Sequence, residues 1–218
     1  MNFFPFLLLN ININGVCCSP PAPPVKCDTS GCTVSNAYGI FPDRLTCRAT
    51  PAVFPSSEEE LLAAVAASSR NKQKMRVVTQ WSQSIPKLVC LGGEEGLIIS
   101  TQELKHVVSI DEESMRMSVE SGAALGDIIS AATEYKLALP QTPYWKGLTI
   151  GGILCMGAHG SSVFGKGSVV HEYVVGMRLV VPLRGGNASV VTLNSSHADL
   201  DVAKLSLGLL GVISQACP

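Results

Sequence analysis

Leu148 to Ser168 reads LTIGGILCMGAHGSSVFGKGS, a stretch crowded with glycine and nearly free of charge. Glycine reaches positive φ without a Cβ clash and lets another group touch the main chain. Here Gly147, Gly151, Gly152, Gly157, Gly160, Gly165 and Gly167 alternate with Ile150, Ile153, Leu154 and Met156. A flexible linker would be Gly/Ser-rich throughout, so the mixture reads as half-buried backbone. The spacing matches neither G-x-G-x-x-G nor the P-loop G-x-x-x-x-G-K-[ST]. Two readings stand: a tight turn beside a buried strand, or a cofactor lying along exposed amides.

The rest of the chain narrows the choice. It has 218 residues, 46% hydrophobic and 15% charged, with a net charge of −1. That is enough apolar content to fold as one domain, or two small ones. No basic field exists to hold a nucleic acid, so no nucleic-acid partner is expected. The start, MNFFPFLLLNININGVCCSPPAPP, carries a short apolar run from Phe3 to Leu9. The run is too short to span a membrane and is followed by small residues, as in a secretory signal peptide. The expectation is a signal over residues 1–18, although Pro5 and Asn10, Asn12 and Asn14 dilute it and no cation precedes it. Secretion, or residence in the endomembrane lumen, follows from it; peripheral membrane association stays open.

Cysteine usage agrees. Cys27, Cys32, Cys47 and Cys90 suit an oxidising compartment, and their pairing stays open. No Cys/His pattern of zinc-ligand spacing occurs, so no metal is expected. Cys155, among apolar neighbours, reads as a free buried thiol. Asn187-Ala188-Ser189 and Asn194-Ser195-Ser196 are glycosylation sequons.

Residues 19–46 show no periodicity and read as a Cys-containing arm; residues 47–218 read as the main domain. Ser57 with Glu60 has capping-box spacing ahead of a helix with Leu61, Leu62, Val65 and Ala66 on one face, ending near Asn71. Met75–Thr79 is a β-branched strand and Gly96–Ser100 a buried one. Val107–Ile110 and Met115–Val119 flank Asp111–Ser114 as a hairpin, with Met115, Met117 and Val119 alternating. Leu125–Tyr135 is helical. Val174–Val181 alternates, with Val175, Met177, Leu179 and Val181 on one side, and pairs with Ser189–Leu193. A short helix from Ala198 to Leu205 leads to a final strand, Leu209–Cys217. The mixture is α+β.

MRVVTQWSQSIPKLVC, VESGAALGDIISAA, LALPQTPYWKGLTIGGILCMGAHGSSVFGKGSVVHEYVVGMRLVVP and KLSLGLLGVISQ together resemble the plant L-gulono-1,4-lactone oxidase-like proteins. The likeness runs over nearly all of residues 26–217. These belong to the vanillyl-alcohol-oxidase type of flavoproteins, and the resemblance implies their two-subdomain, PCMH-type FAD-binding fold. It implies FAD between the halves, with a dianionic diphosphate met by backbone N–H groups. Thr79, Gln80, Trp81, Ser82, Gln83 and Ser84 are the implied cradle. Gly147, Gly151, Gly152, Gly157, Gly160 and Ser161 are the implied facing wall, His159 lies beside the flavin, and the Ile213 backbone meets the adenine end. A Ser/His hydrolase built from His159, Ser161 and Ser162 is disfavoured: no G-x-S-x-G elbow exists.

Two departures bear on function. Where relatives read Ser-His-Ser, this chain has Ser82-Gln83-Ser84. The histidine is their candidate for covalent flavin attachment, so non-covalent FAD is expected here. Relatives also continue past GVISQ into a cap domain holding the sugar-lactone pocket, so the expectation is a truncated chain with that cap absent and no catalytic residue to carry over. The leading function is the flavin domain of an oxidoreductase acting on L-gulono-, L-galactono- or D-arabinono-1,4-lactone toward ascorbate. The lactone is a partner only where a cap is present. A catalytically inactive secreted domain, or a flavin oxidase for another alcohol or sugar, are the alternatives.

Overall fold

The structure, a computed structural model, describes residues 23–35, 47–80, 89–91, 95–161, 165 and 167–218. Three sheets organise it. The first corrects the expectation of an aperiodic arm. Strands β1 (Val25–Asp28), β2 (Gly31–Val34) and β3 (Cys47–Ala49) form an antiparallel sheet, with Cys27 opposite Cys32 in register and disulfide-bonded to it. Asp28 turns the β1–β2 connection by accepting from the Ser30 amide and hydroxyl. Only two side chains of β2, Cys32 and Val34, face inward. A pattern that short leaves no period to read.

A second disulfide joins Cys47 to Cys90. It ties the arm to the segment beyond the second sheet, in which β4 (Ala52–Val53), β6 (Leu97–Ser100) and β5 (Met75–Val78) lie parallel in that order. Val25, Val34, Cys47 and Ala49 share one core with Val78, Val89, Leu91 and Ile98. Helix α1 (Glu58–Arg70) is the crossover that parallel pairing requires. Its start is capped as the sequence predicts, Ser57 Oγ accepting from the Glu60 amide at 3.2 Å. The Glu60 carboxylate reaches one residue further back than in a standard box, to the amide and hydroxyl of Ser56.

The third sheet has the order β10-β9-β11-β8-β7 and is antiparallel throughout: β7 (Val107–Asp111), β8 (Arg116–Glu120), β9 (Gly176–Leu183), β10 (Asn187–Asn194) and β11 (Val212–Cys217). Met115 leaves the expected alternation: it sits in the β7–β8 turn with φ 53° and is 75% exposed. Helices α2 (Leu125–Glu134), α3 (Ile150–Cys155) and α4 (Asp199–Lys204) cover one face, burying Met117, Val119, Met177, Leu179 and Ile213 against Ile128, Ile153 and Leu154. The parallel sheet and α1 contribute to a core on the other face, where Val180 and Val212 meet Leu61, Val65, Leu97 and Ile99. Met177, Leu179 and Val181 share one face of β9 as expected, and Val180 is buried as well, on the other face. Strands covered on both faces read as apolar runs.

One polar contact locks these layers. Arg178 on β9 donates through Nε and a terminal nitrogen to both oxygens of Glu58, at 3.0 and 2.5 Å. Ser214 adds its hydroxyl to the same carboxylate at 2.5 Å. A register shift between Ile213 and Gln215 marks Ser214's place in β11 as a bulge, a feature that re-aims a side chain. The hydrogen bond from Arg178 holds the Glu58 carboxyl below its ordinary value of 4.5; partial burial opposes this, and Ser214 and the Arg178 charge add to it. The folded-state pKa is depressed, so the contribution to stability is present above pH 4.5 and lost as pH falls through the folded value. Glu58→Gln is expected to cost about 1 kcal/mol at neutral pH, a scale set by an ion pair partly open to water. Denaturant titrations should show the gap between Glu58→Gln and the parent narrowing below pH 4.5.

Candidate functional site

A cavity of about 410 Å³ opens among these layers. One wall is β5 and the residue after it, through Met75, Arg76, Val77 and Thr79. Others are Val180 and Pro182 of β9, the start of β11 from Gly211 to Ile213, the segment from Trp145 into α3, and Leu207–Leu209. Its size falls in the range of small-molecule sites.

The glycine-rich wall is built from the helix start outward. Thr149 caps α3, its hydroxyl accepting from the Gly152 amide at 3.4 Å. The Ile150 amide donates to Ala123 O at 3.0 Å and the Gly151 amide to Ser121 O at 2.8 Å. These amides are therefore taken within the protein, and the expectation that they stand bare toward a cofactor is revised. The glycines serve close approach instead. A Cβ on Gly151 would lie 3.0 Å from Ser121 O; one on Gly152 would meet only Thr149 Oγ1 at 3.4 Å and Thr79 Cγ2 at 3.5 Å. Gly152 thus leaves an open cradle between α3 and the end of β5. A tight turn beside a buried strand and a cofactor along exposed amides are the sequence readings of this stretch, and neither contains the helix, because a six-residue helix holding two glycines has poor propensity and no legible period.

Of the residues singled out from sequence, Thr79, Gly147, Gly151, Gly152 and Ile213 meet around this cavity. Gln80 is half-buried outside its wall. Trp81, Ser82, Gln83 and Ser84 lie outside the described residues. Gly157, His159, Gly160 and Ser161 do not line it. Gly157 adopts φ 62° beneath Leu205. His159 is exposed, its Nδ1 3.0 Å from Gly160 O, and pairs as a bridge with Val169. Gly160 answers a packing demand: a Cβ there would fall 1.8 Å from Gln141 Nε2 and 2.4 Å from Thr142 O. Ser161 is exposed.

The cavity also gathers residues that are not among the cofactor-binding candidates. Arg76 is the one Lys, Arg, Asp, Glu or His among the described lining residues, and its Nε is buried without a partner. Ser121 is buried at the same wall, its hydroxyl likewise unpartnered. Cys155 lines it as a free thiol; burial pushes its pKa up, against a smaller opposing effect from the Gly208 backbone, so it stays protonated and a poor nucleophile. Period-2 reading of β5 could have flagged Arg76 as a cation inside an apolar strand.

A family profile described as "FAD binding domain" matches residues 49–186. The chain belongs to this FAD binding domain family. It is 49% identical over 203 residues to "Probable L-gulonolactone oxidase 6" of Arabidopsis thaliana, covering 90% of this chain and 34% of that protein. It is 50% identical, with the same coverage, to "L-gulonolactone oxidase 2" of the same plant. The chain thus spans about a third of the length of the curated relatives it matches. A "Solvent-stable cholesterol oxidase" superposes with a TM-score of 0.71 at 16% identity, over 91% of this chain and 39% of that one. That likeness shows the two-subdomain fold.

FAD fits the residues present. The walls are mostly apolar, as the ring systems need; the Arg76 Nε and Ser121 hydroxyl are donors awaiting an acceptor, and the Gly152 cradle admits a group that a side chain would displace. Gly152→Ala meets only ordinary contacts and is expected to fold and bind FAD like the parent. Gly152→Leu extends into the cavity. Its melting temperature is expected to hold while FAD affinity, read by flavin fluorescence, drops about tenfold or more, equivalent to about 1.4 kcal/mol.

Proposed function

We propose that this chain is the FAD-binding portion of an aldonolactone oxidoreductase that oxidises L-gulono-1,4-lactone, or its L-galactono or D-arabinono counterpart, toward ascorbate. The observation that carries the reading is 49–50% identity to two L-gulonolactone oxidases over 90% of the chain. FAD supplies the hydride acceptor. The chain's own residues bind and orient it: Thr79, Gly147, Gly151, Gly152 and Ile213 from the cavity walls, with Gln80–Ser84 as the cradle for its diphosphate.

Attachment is non-covalent in this reading, because the Gln83 carboxamide offers no ring nitrogen to alkylate. FAD-loaded protein precipitated with acid should release its yellow colour to the supernatant. Colour retained in the pellet overturns this part alone. For the activity itself, L-gulono-1,4-lactone added anaerobically should bleach the visible flavin absorbance of the full-length polypeptide, while a cytokinin-like amine should not. A flavin that forms but never bleaches with any aldonolactone points instead to a cofactor-binding domain without turnover.

The same reading places the protein in the secretory pathway. The Cys27–Cys32 and Cys47–Cys90 disulfides support it, as do the exposed sequon residues Asn187 and Asn194 at the two ends of β10. The Asn194 carboxamide oxygen accepts from the Ser196 hydroxyl at 2.6 Å, leaving its nitrogen directed elsewhere. Secreted protein should lose mass on endoglycosidase treatment, and Asn187→Gln with Asn194→Gln should abolish that loss. An unshifted parent protein recovered inside the cell contradicts the assignment.

A further inference from the structure

Among the described residues, one charged side chain, Arg76, borders the cavity. β5 is the outermost strand of the parallel sheet. Lys74 O and Val78 O accept from the Leu97 and Thr101 amides, so β5 presents one side of its backbone to β6 and, among the described strands, leaves the other as an edge. Arg76 lies midway along that strand and borders the cavity. One terminal nitrogen of its guanidinium donates to Met75 O at 3.3 Å, while Nε is buried with no acceptor. A buried donor on a charged group without an acceptor is destabilising, and an acceptor supplied from outside the protein relieves that cost.

No carboxylate is among the described residues of the wall. An anion carried by the occupant would supply the missing acceptor. Guanidinium groups pair with phosphate oxygens through parallel N–H donors, and such charge-assisted bonds are about twice as strong as neutral ones. The amides at the start of α3 cannot fill the role, being taken by Ser121, Ala123 and Thr149. We propose that Arg76 is the counter-charge for the cofactor's diphosphate, holding FAD from the edge of β5. This rests on the FAD reading above and adds to it a residue that discriminates a phosphate-bearing flavin from a bare one.

The test titrates apo full-length protein with FAD and with riboflavin, which lacks phosphate, following flavin fluorescence. Arg76→Lys and Arg76→Met are compared with the parent, and each is checked by thermal melting. FAD affinity should fall about tenfold or more in Arg76→Met, as expected for one lost charge-assisted pair. It should recover in part in Arg76→Lys, and riboflavin affinity should hold in both. ADP should compete with FAD in the parent and lose potency in Arg76→Met. Equal FAD affinity in parent and Arg76→Met overturns the proposal, as does an equal loss for FAD and riboflavin. A parent that binds riboflavin and ADP but not FAD, or none of them, overturns the FAD reading itself.

Discussion

The Glu58–Arg178–Ser214 cluster is the contact on which the arrangement depends. It joins the first turn of α1 to β9 and β11 across 120 and 156 positions of sequence. Around it, Leu61 and Val65 pack against Val180 and Val212. Apolar contact alone would let α1 slide over the large sheet, because burial is proportional to area and indifferent to direction. A bidentate guanidinium–carboxylate pair is directional. It sets where the parallel sheet lies against the antiparallel one, and so the shape of the cavity between β5, β9, β11 and α3.

That cavity owes its form to close backbone approach. The turn after β8 and the start of α3 touch through Gly151 N to Ser121 O, Ile150 N to Ala123 O and Leu125 N to Leu148 O. Each removes an amide from the inventory a cofactor could use. Among the described residues, the donors left at the cavity are the Arg76 Nε and the Ser121 hydroxyl. The same economy explains Gly160, whose missing Cβ is filled by Gln141 and Thr142. In one glycine-rich segment, some glycines shape a wall and others let loops cross.

Much of the fold was legible from residues alone. The Ser57 cap, the apolar face of α1, the β7–β8 hairpin and the β9–β10 pairing each follow from patterns local in sequence. The arm was not, since β1 to β3 are three or four residues long and show no period. Nor was the two-sided burial of β9: Leu179 and Val180 are adjacent, and only the arrival of α1 from far earlier in the chain covers the second face.

For the site, local sequence determined the chemistry on offer: glycine backbone, scarce charge, cysteines for bridges, and a carboxamide at Gln83. It also carried a long ordered motif that marked the FAD-binding family. Tertiary structure alone decided which of these residues meet. It brought Thr79, Gly151, Gly152 and Ile213 to one cavity, left His159 and Ser161 exposed, paired Cys47 with Cys90, and set Arg76 at the border of that mostly apolar cavity. The reason is physical: spacing along a chain fixes propensity and periodicity, whereas pairing, exclusion of water and the fate of each hydrogen-bond donor depend on partners distant in sequence.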